Sequence, residues 1–218
     1  MKHNFTHIHQ SSWIGNLLNE YMPDKGFFVE IGMGHVTTPE SRRNELKTVE
    51  MYGTNTGELV ELGWSGIYIE PIQELCYEAS LLYKNYLDKI KIINCGAGDI
   101  HEEATIYGLE TLIPNGCLNY NDFATNKPYK YPGTKVKVAP TNFILEENNC
   151  PSHIDFMSID VEGYEEKVLK GLDFQKFSPT LLVVETNGIT QQKVSSLIPN
   201  NYMIKQSDNL NTVWVKQK

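Results

Sequence analysis

Five acidic residues stand where apolar runs end. Glu30 lies in the run 27–31 and Glu70 closes 66–70. Asp99 follows the turn Gly96-Ala97-Gly98, Asp160 closes the run that starts at Ile154, and Glu185 follows 180–184. A carboxylate offers two acceptor oxygens and no donor. It can therefore hold paired hydroxyls, take a proton from an acceptor group, or ligate a hard cation. Runs as apolar as 154–159 suit strands buried on both faces, and open parallel sheets bind ligands outside the carboxyl ends of their strands. Glu162, Gly163 and Glu165 crowd the residues just beyond Asp160. Glu162 and Glu165 equally suit the first turn of a following helix, where negative charge complements the dipole.

These acids acquire distinct tasks if the ligand is a positively charged nucleoside. Glu70, after a second strand, accepts from both ribose hydroxyls. Asp99, with Gly98 beside it, accepts from an adenine amino group. The turn Gly32-Met33-Gly34 lets the main chain approach the ligand's tail. That turn lacks the third glycine of a dinucleotide fingerprint, and the surrounding acidity suits a sulfonium better than a pyrophosphate. S-adenosylmethionine is the nucleoside that matches.

The elements that must carry these groups alternate in type. A helix is expected over 13–21, strands over 27–31, 66–70 and 91–95, and an amphipathic helix over 73–86, where Leu75, Ala79, Leu82 and Tyr86 recur at helical spacing. A short strand over 136–138 and a helix running to Glu147 precede the Asp160 strand. A helix over 164–170 follows it, stopped by Gly171, and then a strand over 180–184. A helix over 190–197 and strands over 202–205 and 212–215 finish the chain, with Asp208-Asn209 suited to a hairpin. Alternation of this kind predicts an α/β fold with a mostly parallel sheet, and the hairpin makes its last strand antiparallel.

Residues 36–53 look like an insertion or lid, with Thr38-Pro39 as a helix start. Residues 107–135 mix Gly, Pro and Asn with five aromatics, and read as a loop that either contacts substrate or packs on the surface. The chain otherwise reads as a single domain with a helical extension over 1–25.

With 19 basic against 27 acidic residues the 218-residue chain carries a formal charge of −8, which argues against a nucleic-acid partner. The four cysteines lack metal-type spacing, and no apolar run is long enough to span a membrane, so a soluble, cytoplasmic protein is expected. His3, His7 and His9 are read as solvated residues near a terminus.

The combination of motifs resembles the FkbM family of S-adenosylmethionine-dependent methyltransferases. It stands as Glu30-Ile31-Gly32, Thr54-Asn55-Thr56, Trp64-Ser65-Gly66-Ile67-Tyr68-Ile69-Glu70-Pro71, Ile159 through Glu165, and Val184-Glu185. The resemblance implies a seven-stranded class I methyltransferase sheet with helices on both faces, with Glu30, Gly32, Gly34, Asn55, Thr56, Glu70, Gly98 and Asp99 lining the cofactor. Asp160 is the candidate base and Glu162 its partner. Asp160, Glu185 and Asn187 resemble the metal trio of catechol-type methyltransferases, which implies Mg2+ or another divalent cation. O-methylation of a sugar or small-molecule hydroxyl is the leading expectation. A nicotinamide-dependent oxidoreductase and a non-catalytic carbohydrate-binding protein are the alternatives, and a homo-oligomer is left open.

Overall fold

The computed structural model describes residues 12–34, 55–106, 133–186 and 191–217. The insertion at 36–53, most of the loop at 107–135, Asn187, Cys117 and the histidines at 3, 7 and 9 lie outside the described residues.

Ten strands and six helices are described: α1 Ser12–Tyr21, β1 Phe27–Ile31, α2 Gly57–Glu61, β2 Ser65–Glu70, α3 Gln73–Leu82, β3 Ile90–Asn94, β4 Gly96–Gly98 and β5 Glu102–Ile106, followed by β6 Thr134–Pro140, α4 Thr141–Glu147, β7 His153–Ile159, α5 Glu165–Lys170, β8 Ser178–Glu185, α6 Gln191–Leu197, β9 Tyr202–Ser207 and β10 Asn211–Lys216. Seven strands form one sheet in the order β3-β2-β1-β7-β8-β10-β9. The first five run parallel, and β10 runs antiparallel to both β8 and β9. The chain leaves β1 toward β2 on one side, whereas β7 lies on β1's other side. The sheet therefore reverses its winding between Ile31 and Ile159, which are partners in register. That is where such sheets open a ligand crevice.

Alternation along each strand sends side chains into two cores. Val29, Ile31, Ile67, Ile69, Leu182 and Val184 join Leu145, Val168 and Val194 of α4, α5 and α6 on one face. Phe28, Tyr68, Leu181 and Val183 join Leu18, Leu59 and Ala79 of α1, α2 and α3 on the other. Burying one such aliphatic or aromatic side chain stabilises the fold by roughly 1.5–3 kcal/mol. With the central parallel strands β1, β2, β7 and β8 clamped from both sides, their ends become fixed points on which side chains can be aimed.

One expectation changes here. The third strand stops at Asn94, opposite Glu70, and the residues expected to turn the chain after it do not form a simple turn. Asn94 donates from Nδ2 to the carbonyls of Glu70, at 3.2 Å, and Pro71, at 2.9 Å, so its amide closes the strand end. Gly96–Gly98 instead forms β4 of a second, three-stranded sheet in the order β4-β6-β5. That sheet has its own core of Ile106, Val136, Val138, Ile72 and Tyr164.

Candidate active site

Gly32 fixes the floor of the crevice. Its φ is +83°, and a Cβ there would lie 1.7 Å from the carbonyl oxygen of Asp160, so only glycine lets β1 and β7 approach this closely. The contact is locked on both flanks: Gly32 N donates to Ile69 O at 2.9 Å, and Asp160 N donates to Ile31 O at 3.0 Å.

Glu70 ends β2 and turns back over the glycine bend. Its Oε2 accepts from Gly34 N at 3.1 Å and its Oε1 from Ile72 N at 3.0 Å. Burial pushes this carboxyl up to about 7, against the lowering effect of the Ile72, Gly34 and Met33 amides. The acid and the glycine turn thus share one space.

Glu30 uses both of its carboxylate oxygens on the segment at 55–56. Only 2% exposed, it accepts from Asn55 N at 2.6 Å through Oε1 and from the Thr56 hydroxyl through Oε2. Burial raises it to about 8, with the Thr56 and Asn55 hydrogen bonds opposing the rise. Thr56 Oγ1 also lies 2.9 Å from the Tyr68 hydroxyl, and Asn55 Nδ2 donates to Ser158 Oγ at 2.7 Å. Glu30 therefore ties residues 55 and 56 across β1, β2 and β7. Asn55 Oδ1 is buried without a hydrogen-bond partner.

The ends of β7 and β8 bring three acids together. One carboxylate oxygen each from Asp160, Glu162 and Glu185 lies within 4.8 Å of the other two. Glu162 sits at φ +53°, an uncommon conformation for a residue with a side chain. Glu165 holds that bend: its Oε1 accepts from Val161 N at 3.1 Å and Gly163 N at 3.0 Å. Its carboxylate is a staple for the loop and more than decoration of the first turn of α5. A further clamp comes from the second sheet, where Glu102 accepts from the Tyr164 hydroxyl at 2.5 Å and from Lys167 Nζ at 3.1 Å.

Crowding has an electrostatic consequence. Burial, and then the charge on Asp160, push Glu162 up to about 7 and Glu185 up to about 10, and burial raises Asp160 as well. Glu185 Oε2 is buried without a hydrogen-bond partner. Like charges this close in a poorly hydrated site hold protons or attract a cation.

Gly98 and Asp99 stand at and just beyond the end of β4. Gly98 is buried in the small sheet, its carbonyl accepting from Thr141 Oγ1 at 3.3 Å, and a Cβ on Gly171 would lie 1.8 Å from that same oxygen. Asp99 Oδ1 is buried without a hydrogen-bond partner. Sequence reasoning passed over Ser158 and Tyr68, which hold the Asn55-Thr56 segment. A serine inside the otherwise apolar run at 156–159 was the available signal.

A doubly wound α/β protein with an acid-rimmed crevice at its winding reversal is the class this geometry defines. Residues 50–208 match the model for the methyltransferase FkbM domain, and the chain belongs to that family. The fold is similar to that of a crystal structure of methyltransferase FkbM from Methylobacillus flagellatus KT, with a TM-score of 0.50 and 18% identity. The likeness covers 88% of this chain and 44% of the other, so the chain spans less than half the length of that relative. No curated protein matches the chain. Among the described residues no helix is long and apolar enough to cross a membrane.

Proposed function

We propose that the chain binds S-adenosylmethionine outside β1, β2 and β7 and directs its methyl group to a hydroxyl of a sugar or other small molecule. The observation that carries this reading is the meeting of Glu70 with Gly34, because an acid at that strand end and an open glycine turn are what a ribose and its extended tail require. Glu70 accepts from the ribose hydroxyls, and the Glu30-held Asn55 presents an unpartnered acceptor, Oδ1, in the neighbouring space. When bound, the cofactor supplies a methyl group on cationic sulfur, which departs as a neutral thioether.

The residues of β7 manage the acceptor. Proximity and alignment supply most of the rate, and a positioned base adds about 10²–10⁴-fold. Glu162, raised to about 7, is matched to take the hydroxyl proton near neutrality, while Asp160 and Glu185 hold the surrounding charge in place. Labelled cofactor incubated with a panel of sugar and small-molecule alcohols, read by mass spectrometry, tests the assignment. A gain of one methyl on oxygen is expected, and cofactor binding without transfer to any acceptor contradicts it.

The trio of carboxylate oxygens also favours a second reading, in which a divalent cation joins the site. Three hard donors within 4.8 Å, one carrying an orphaned buried oxygen, fit Mg2+. Asp160, Glu162 and Glu185 would hold it, and it would lower the pKa of an acceptor hydroxyl. Equilibrium dialysis with Mg2+, Mn2+ and Ca2+ tests this: stoichiometric binding supports it, and no binding together with activity unchanged by EDTA removes it.

A further inference from the structure

At the opposite end of the sheet, a cavity of about 220 Å³ opens between the amino ends of β7 and β8 and the carboxyl end of β10. It lies roughly 20 Å from the acidic rim, six strand residues at about 3.3 Å each. Nine residues line it and none is acidic, in a chain with eight more acids than bases. Its polar side chains are nearly all able to donate: the ammonium groups of Lys176 and Lys216, the amides of Gln175 and Asn201, the hydroxyl of Ser178 and the imidazole of His153.

The charges are not equally free. Lys176 is answered by Glu146 at 2.7 Å, and His153 lies 3.3 Å from Asp155. Lys216, half-buried, has its Nζ 2.7 Å from the hydroxyl of Ser178 and no carboxylate partner among the described residues. A partly desolvated cation beside neutral donors lacks its counter-charge, and an oxyanion supplies both the charge and the acceptors.

We infer that this cavity is a binding site for a small oxyanion, a phosphate or carboxylate group, separate from the methyl-transfer crevice. Lys216 provides the charge, and Asn201, Gln175 and Ser178 provide neutral donors. The inference does not depend on the proposed activity, because it uses none of the rim acids.

The test is a titration of the full chain with inorganic phosphate and, separately, with acetate, followed by amide chemical shifts. Saturable shifts at Ser178, Asn201 and Lys216 are expected, weakened at least 10-fold in Lys216→Met and again in Asn201→Asp, which places an acid in the cavity. Response to phosphate alone identifies a tetrahedral oxyanion, and response to both identifies a general one. Well-dispersed spectra confirm that each variant is folded. Absence of saturable shifts with either anion, or affinities unchanged in both folded variants, overturns the inference.

Discussion

The two halves of the acidic rim use the same side-chain chemistry to opposite ends. On the β1–β2 side, Glu30 and Glu70 are each answered by backbone amides, with the Thr56 hydroxyl added at Glu30. On the β7–β8 side, Asp160, Glu162 and Glu185 face one another, and Glu185 keeps a buried oxygen without a partner. A carboxylate surrounded by donors is fixed in place and shapes a binding surface. Carboxylates surrounded by carboxylates are poised to exchange protons or meet positive charge. Under the proposed function, the difference gives recognition to one half and chemistry to the other.

The largest effect that tests this division is on turnover. Glu162→Gln removes the proposed proton acceptor while leaving the β1–β2 side untouched. Its kcat is expected to fall by about 10²–10⁴-fold with cofactor affinity held within about twofold. Equal losses in both quantities would break the separation of roles. Steady-state kinetics beside calorimetry makes the measurement.

Gly32→Ala attacks the seam between the halves. A Cβ at φ +83° and 1.7 Å from the Asp160 carbonyl must push β1 and β7 apart, with an expected loss of roughly 3 kcal/mol in urea unfolding. A loss under about 0.5 kcal/mol would show that the two strand ends are not held in contact.

A smaller, graded effect comes from pH. Glu30, Glu70, Glu162 and Glu185 are raised from 4.5 to about 8, 7, 7 and 10. Between the ordinary carboxylate value and these raised values the folded chain holds protons that the unfolded chain releases. Stability is therefore full below about 4.5 and declines as pH rises toward 8 and beyond. The melting temperature is expected to fall between pH 5 and pH 9. Glu185→Gln should flatten that fall by removing charge from the crowded half. A melting temperature that rises over this range would contradict the burial described for these acids.

Much of this arrangement was legible in the sequence because strand burial and glycine bends leave strong local patterns. The run 27–31 reappears unchanged as β1, and the acid ends of β2 and β7 stand where the apolar runs stop. Less legible was anything fixed by long-range pairing. Residues 102–106 carry two acids, an alanine and a threonine before one isoleucine, too polar to announce a strand, and become β5 only by pairing with β6. The same pairing makes residues 96–98, which read as a turn, the strand β4 of the small sheet. Nor does a sequence reveal which way a buried acid turns. Glu30 and Glu165 had the right type for a site, yet their oxygens are committed to backbone amides or a hydroxyl of neighbouring loops.

Binding of S-adenosylmethionine by the parent chain and by Glu70→Ala, compared by titration calorimetry at pH 8, tests the central claim most directly. Measurable affinity in the parent, weakened about 100-fold in the variant by loss of hydrogen bonds to a charged acceptor, is the predicted result. Undetectable binding by the parent at millimolar cofactor, or equal affinity in both chains, would contradict the assignment of this crevice to the cofactor.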